Sequence, residues 1–126
     1  MKIKFSIVIT TKNRLKDLQI TLASLEIHVH RNDVELLICD DASTDGTHEF
    51  LKENFENTDL ILNQKSKGLI ANRNLLNNKA QGDYMISLDD DAQFVSDNFL
   101  EEIELFFNQH INWFGNVTHR CYFWIT

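Results

Sequence analysis

Residues Tyr84-Met85-Ile86-Ser87-Leu88-Asp89-Asp90-Asp91 read YMISLDDD. A mostly apolar run passes without a break into three carboxylates. The turn residues Gly82-Asp83 precede it. A nearly continuous apolar run bounded in this way predicts a strand buried on both faces, the mark of a parallel sheet rather than of a half-solvated antiparallel one. Adjacent carboxylates raise one another's pKa unless a cation neutralises them. The triplet is therefore either a solvated acidic turn or one wall of a site that holds a cation.

The rest of the chain repeats the pattern. Lys4 to Thr10, KFSIVIT, is a β-branched run and reads as a central strand. Val34 to Cys39, VELLIC, is a second strand that also ends in acid, Asp40-Asp41, before the turn-rich Ala42-Ser43-Thr44-Asp45-Gly46. Leu60 to Leu62 is a short third strand and Tyr84 to Leu88 a fourth. Between them lie helical patterns. Asn13 is placed to cap a helix on which Leu15, Leu18, Leu22 and Leu25 form one stripe. His48 to Asn57 offers Phe50, Leu51 and Phe55 for packing, and Gly68 to Ala80 reads as a third helix. Phe99, Ile103 and Phe106 define a fourth, opened by Ser96 or Asp97. The order βαβαβαβα predicts an α/β fold of three layers, α/β/α, around a mostly parallel sheet. Ligands of such sheets sit at the carboxyl ends of the strands. That rule gathers Thr10-Thr11-Lys12-Asn13-Arg14, Asp40-Asp41 and Asp89-Asp90-Asp91 on one edge.

Composition narrows the partners. The 126 residues predict a single domain, 1–126, with 110–126 as an unassigned aromatic tail that begins a further strand or two. A net charge of -7 and scattered Lys and Arg exclude a nucleic-acid partner. Two cysteines make neither a disulfide framework nor a zinc site, and Cys39, inside an apolar run, reads as a small buried hydrophobe. His28 and His30 flank Val29 with no third ligand nearby. There is no GxGxxG and no P-loop pattern. Without a signal peptide or an apolar stretch of about 18 residues, the expected location is the cytoplasm, with a peripheral place at the inner face of the membrane as the other option.

Three groups of residues carry candidate chemistry. In an extended strand end Asp89 and Asp91 face the same side and Asp90 the other. Paired carboxylate oxygens suit Mg²⁺ or Mn²⁺, completed by phosphate. An Asp at the rim of the second strand can accept from a base ring N–H, or it organises the turn that follows. Asp45, within that turn, is expected to stand apart from the site. Arg73 lies on the helix face between Leu69 and Leu76, where it either snorkels or meets an anion in the cleft.

SIVITTKNR (6–14), ELLICDDASTDGT (35–47) and NQKSKGLIANRNLLNNKAQGDYMISLDDDA (63–92), in this order and spacing, resemble the nucleotide-binding half of the inverting glycosyltransferases of family 2, which have the GT-A fold. The resemblance covers roughly residues 3 to 100. It implies that Thr10 and Asp41 contact the base, Asp41 accepting from its ring N–H, and that Asn13 and Arg73 lie at the nucleotide. It places Asp89-Asp90-Asp91 at the family's DxD motif. Asp91 is then the firmest ligand of Mg²⁺ or Mn²⁺ and Asp89 the second, with Asp90 on the ribose, the sugar or a metal-bound water. The implied activity is inverting transfer of sugar from a nucleotide-diphospho-sugar, a UDP-sugar foremost, to a carbohydrate or lipid-linked acceptor. Family members usually continue well beyond this length, and their second half carries the acceptor site and the general base. No base is assigned here, and the expectation is a donor-binding part completed by self-association through Trp113 to Trp124 or by a second chain. Two rivals stand beside it. One is a non-catalytic nucleotide-sugar-binding module or inactive fragment. The other is a response-regulator phosphoacceptor domain, which ranks lower because Thr10 and Thr11, not an acidic pair, follow the first strand.

Overall fold

A computed structural model describes residues 2–110 and, for residues 121–125, the strand backbone. The elements are β1 (Phe5–Thr11), α1 (Leu15–Ser24), a short α2 (Glu26–Val29), β2 (Val34–Asp40), α3 (Thr47–Asn54), β3 (Asp59–Leu62), α4 (Leu69–Lys79), β4 (Tyr84–Leu88), α5 (Phe99–Gln109) and β5 (Cys121–Ile125). The four strands expected from apolar runs are present, and β5 adds one from the tail. Residues 111–120 and 126, including Trp113, lie outside the described residues.

The sheet order is β3-β2-β1-β4-β5, and every neighbouring pair is parallel. The chain therefore winds outward from β1 through β2 to β3, then returns to build β4 on the other side of β1. That reversal opens a crevice at the carboxyl ends of β1 and β4, the place where open parallel sheets bind ligands.

Strand alternation fills both faces. Phe5, Ile7 and Ile9 of β1 pack with Leu36 and Ile38 of β2 against Leu18, Leu22, Leu51, Leu100 and Ile103, so α1, α3 and α5 share one face. Val8, Leu37, Cys39 and Met85 face the other way, onto Leu76 and Ala80 at α4. Burial on both sides is why these strands are apolar throughout. Cys39 is fully buried, and burial pushes its thiol up to about 11. His28 is buried too, its ring edge-on to Phe94 with centroids 5.1 Å apart.

Local expectations fail where contacts from distant residues decide. The N-cap of α1 is Arg14, not Asn13, and makes no side-chain cap. The Leu15 N–H donates instead to Asp45 Oδ2, 3.0 Å away on the β2–α3 loop. The α5 helix starts at Phe99 behind Asn98, so neither Ser96 nor Asp97 is its N-cap. Its buried stripe is Leu100, Ile103 and Phe107, while Phe106 is 42% exposed.

Gly82 marks a close approach of the α4–β4 connection to β1. Its N–H donates to Ser6 Oγ at 2.8 Å, and Ser6 in turn donates to Glu35 Oε1 at 2.5 Å. A Cβ on Gly82 would lie 2.5 Å from Ser6 Oγ and 2.8 Å from the Ser6 backbone nitrogen. Gly82→Ala is therefore expected to destabilise the fold by roughly 1–3 kcal/mol, the usual cost of overpacking a filled interior. Urea denaturation checks this, and an unchanged midpoint would show that the strand ends yield freely.

Candidate functional site

The carboxyl ends of β1, β2 and β4 and the start of α4 enclose a cleft of about 490 Å³. From the β1 end come Thr10, Thr11, Lys12 and Arg14; from β2, Asp41; from the approach to α4 and its first turns, Ser66, Gly68, Leu69, Asn72 and Arg73; from β4, Asp89, Asp90 and Asp91. Six of the seven residues singled out from the sequence thus line one cavity. Asn13 does not. Its backbone has a positive φ of 54°, its N–H donates to Ser43 Oγ at 2.8 Å, and its Oδ1 accepts from the Thr44 N–H at 2.7 Å. It joins the β1–α1 loop to the β2–α3 loop.

Asp41 is the most heavily bonded group of the site. Oδ1 accepts from Asn63 Nδ2 (3.0 Å) and the Lys67 N–H (2.8 Å). Oδ2 accepts from Ser66 Oγ (2.7 Å) and the Gly68 N–H (3.1 Å). A carboxylate has about four acceptor positions, and all are in use. Burial alone would raise this carboxyl. The donors at Lys67, Ser66 and Asn63 outweigh it and hold the group well below the usual carboxylate range. Its neighbour Asp40 is fully buried with few donors, and burial pushes it up. Ser43 Oγ donates to Asp40 Oδ1, while Oδ2 has no hydrogen-bond partner among the described residues and lies 3.7 Å from His48 Nδ1.

The acidic triplet does not continue β4. The strand ends at Leu88, and the Ala92 N–H turns back to the Asp89 carbonyl at 3.1 Å. The alternation that put Asp89 and Asp91 on one side stops there. Asp89 Oδ1 meets Arg73 Nη2 at 2.9 Å. Asp91 Oδ2 meets Arg14 Nη2 at 3.0 Å. Asp90 is only 7% exposed: Oδ2 accepts from Thr11 Oγ1 at 2.9 Å, Oδ1 lies 3.3 Å from Arg14 Nη1, and its carbonyl accepts from Thr21 Oγ1 at 2.9 Å. Burial raises the Asp90 carboxyl, against the Thr11 hydroxyl and the Arg14 charge. Asp90 therefore ties the loop to β1 and α1 as well as lining the cleft.

Arg73 leaves the helix for the cleft rather than snorkelling. Four further residues have roles that sequence reasoning missed: Arg14, Asn63, Asn72 and Asp45. Asn63 Nδ2 also donates to Asn72 Oδ1 at 2.9 Å, and Asn72 Nδ2 is buried without a hydrogen-bond partner among the described residues. Asp45 is not among the residues that line the cleft, as expected, but it bonds both the Leu15 N–H and, through Oδ1, the Thr47 N–H at 3.2 Å and Thr47 Oγ1 at 2.6 Å. It caps the first turns of α1 and α3 together. Only the "DD" and "DG" signals hinted at these turns; the partners lie dozens of residues away.

A carboxyl depressed on folding, as Asp41 is, contributes stability that is full above its unfolded value of about 4 and is lost as pH falls toward the folded value. Asp41→Asn should unfold more readily than the parent at neutral pH. The difference should shrink steadily below about pH 4, where the parent's carboxylate begins to lose its advantage. Chemical denaturation across that range checks this, and a difference independent of pH would show that ionised Asp41 does not hold the 63–68 segment.

Comparison with known proteins agrees with this architecture. The family model described as glycosyl transferase family 2 matches residues 6–121. The Escherichia coli UDP-Glc:alpha-D-GlcNAc-diphosphoundecaprenol beta-1,3-glucosyltransferase WfaP is 30% identical in an alignment 110 residues long that covers 82% of this chain and 43% of that protein. The chain spans between 15% and 43% of the length of the curated relatives it matches. The structure of S. aureus TarS 1-349 in complex with UDP-GlcNAc has a TM-score of 0.71 at 25% identity, over 86% of this chain and 32% of that one. The mannosyltransferase PcManGT from Pyrobaculum calidifontis, in complex with GDP-Man and Mn²⁺, shares the fold, with a TM-score of 0.67 at 20% identity over 94% of this chain and 34% of that one. Its sheet is that of GT-A glycosyltransferases, and with a match that runs from β1 into β5 the chain belongs to glycosyl transferase family 2.

Proposed function

We propose that the cleft binds a nucleotide-diphospho-sugar, a UDP-sugar foremost, together with Mg²⁺ or Mn²⁺, and that the chain supplies the donor side of an inverting glycosyl transfer. The observation that carries this reading is the convergence of Asp41, Asp89, Asp91, Arg73 and Arg14 in one cleft at the β1/β4 crevice. Its volume of about 490 Å³ suits a small-molecule ligand. The complexes of TarS with UDP-GlcNAc and of PcManGT with GDP-Man and Mn²⁺ support the ligand class.

The residues divide the donor's chemistry between them. Asp41 and Asn72 Nδ2, which has no hydrogen-bond partner among the described residues, offer an acceptor and a donor for the base. A base N–H that uses Asp41 takes the place of one of its present donors, and Ser66, Lys67 and Gly68, all on exposed chain, can give way more readily than the buried Asn63. Arg73 and Arg14 offer guanidinium forks to phosphate oxygens. Among the described residues no three His, Cys, Asp or Glu side chains form a cage of their own for a metal. Mg²⁺ and Mn²⁺ accept one or two carboxylates and complete their shell with phosphate and water, so Asp91 with Asp89 is a fitting donor set. Such an ion, when bound, offsets the charge that grows on the departing diphosphate. Inversion requires an acceptor hydroxyl to attack the anomeric carbon from the face opposite that diphosphate and to give its proton to a base. A sugar hydroxyl on a lipid-linked or free carbohydrate is the acceptor class that fits the relative acting on a diphosphoundecaprenol-linked sugar.

Titration calorimetry of UDP into the chain, with and without Mn²⁺, tests the reading. Mn²⁺ should tighten UDP binding in the parent, and Asp91→Asn should lose most of that tightening while keeping the weak metal-free binding. Equal enhancement by Mn²⁺ in both proteins would remove Asp91 from the metal site.

A further inference from the structure

We propose that Arg14 is a tethered cation that competes with the divalent metal for Asp91, and so makes metal binding depend on the nucleotide. The proposal rests on the donor reading above and assigns Arg14 a role in that site.

Two guanidiniums face the three adjacent carboxylates. Arg73 takes Asp89, and Arg14 bridges Asp90 (3.3 Å) and Asp91 (3.0 Å). The two arginines differ in freedom. The Arg73 side chain is 21% exposed and its carboxylate partner 34%; Arg14 and Asp91 are 46% and 47% exposed. The Arg14–Asp91 pair is thus the one that solvent, or a cation from solvent, can open. Asp17 Oδ2, 3.4 Å from Arg14 Nη2, gives the guanidinium a second seat when it moves.

Its backbone is not free to leave. Asn13 on one side is bonded to Ser43 and Thr44, and Leu15 on the other to Asp45. Wherever its side chain turns, Arg14 stays beside the triplet. A metal that takes Asp91 therefore meets a guanidinium it must displace, and two like charges are left near one carboxylate. A diphosphate removes that conflict, because it accepts the guanidinium bidentately while its oxygens join the metal. Metal alone binds weakly and metal with nucleotide binds well. The coupling is reciprocal, so the nucleotide gains from the metal by the same factor.

The test is Mn²⁺ binding followed by electron paramagnetic resonance of the free ion, with and without UDP, on the full chain and its Arg14→Gln and Arg14→Lys variants. Arg14→Gln should bind Mn²⁺ alone about tenfold more tightly than the parent, and the tightening produced by UDP should shrink by a similar factor, within the usual range of coupling between sites. Arg14→Lys keeps the charge and should stay near the parent in both respects. Arg14→Gln that binds Mn²⁺ alone no better than the parent, with the UDP effect intact, overturns the role of Arg14 and leaves the donor reading standing. Absence of Mn²⁺ binding in all three proteins, with UDP as well as without, overturns both.

Discussion

The four hydrogen bonds to Asp41 hold the cleft in shape. β2 ends at Asp40, and the Asp41 N–H is fixed to the Thr11 carbonyl at 2.9 Å, so its carboxylate stands at the rim of the sheet. The chain that leaves β3 must cross this rim to reach α4. Backbone N–H groups in such a crossing have no sheet or helix partner and use other acceptors. Asp41 supplies them for Lys67 and Gly68, and adds the side chains of Asn63 and Ser66. Bonds to a charged acceptor are roughly twice as strong as neutral ones. Ser66 then accepts from Lys12 Nζ at 3.1 Å, which links this wall to the loop after β1. One carboxylate thereby sets where α4 begins and where Arg73 is presented.

Neighbouring acids at this edge behave in opposite ways, and the difference is the number of donors each one meets. Asp41 is depressed below the ordinary range by its donors, whereas Asp40 and Asp90 are raised by burial that their fewer partners do not offset. The parallel sheet causes this crowding. Every strand delivers its last residues to the same edge, so acids from β2 and β4 meet cations from the β1–α1 loop and from α4. The resulting balance of charge is what the proposed ligand would use, since an ion or phosphate could trade places with a partner already present.

The strands and their parallel arrangement were legible in the sequence because their apolar runs are a consequence of burial on both faces. KFSIVIT, VELLIC and YMISL correspond to β1, β2 and β4 within a residue at each end. Five candidate residues reached the cleft because strand ends share an edge, and Arg73 reached it from the first turns of α4. What stayed hidden depended on contacts across long separations. Asn13 looked like a helix cap, but its left-handed backbone, tolerated by Asn, turns it toward Ser43 and Thr44. Asp45 looked like a turn residue, but it caps a helix thirty residues earlier. Arg14 carried no signal beyond its place after β1. The expected alternation of Asp89 and Asp91 failed because the chain turns immediately after Leu88, which no local pattern announced.

Nucleotide binding in the cleft at the carboxyl ends of β1 and β4 can be read from amide chemical shifts of the labelled chain during titration with UDP and Mg²⁺. The shifts should concentrate at Thr10 to Arg14, Asp41, Ser66 to Arg73 and Asp89 to Asp91, with the Asn72 side-chain amide among the most affected. Another cavity, at the opposite end of the strands by Val34, Glu35 and Asp59, should stay silent. Shifts centred on that cavity, or spread evenly over the surface, would place the nucleotide elsewhere.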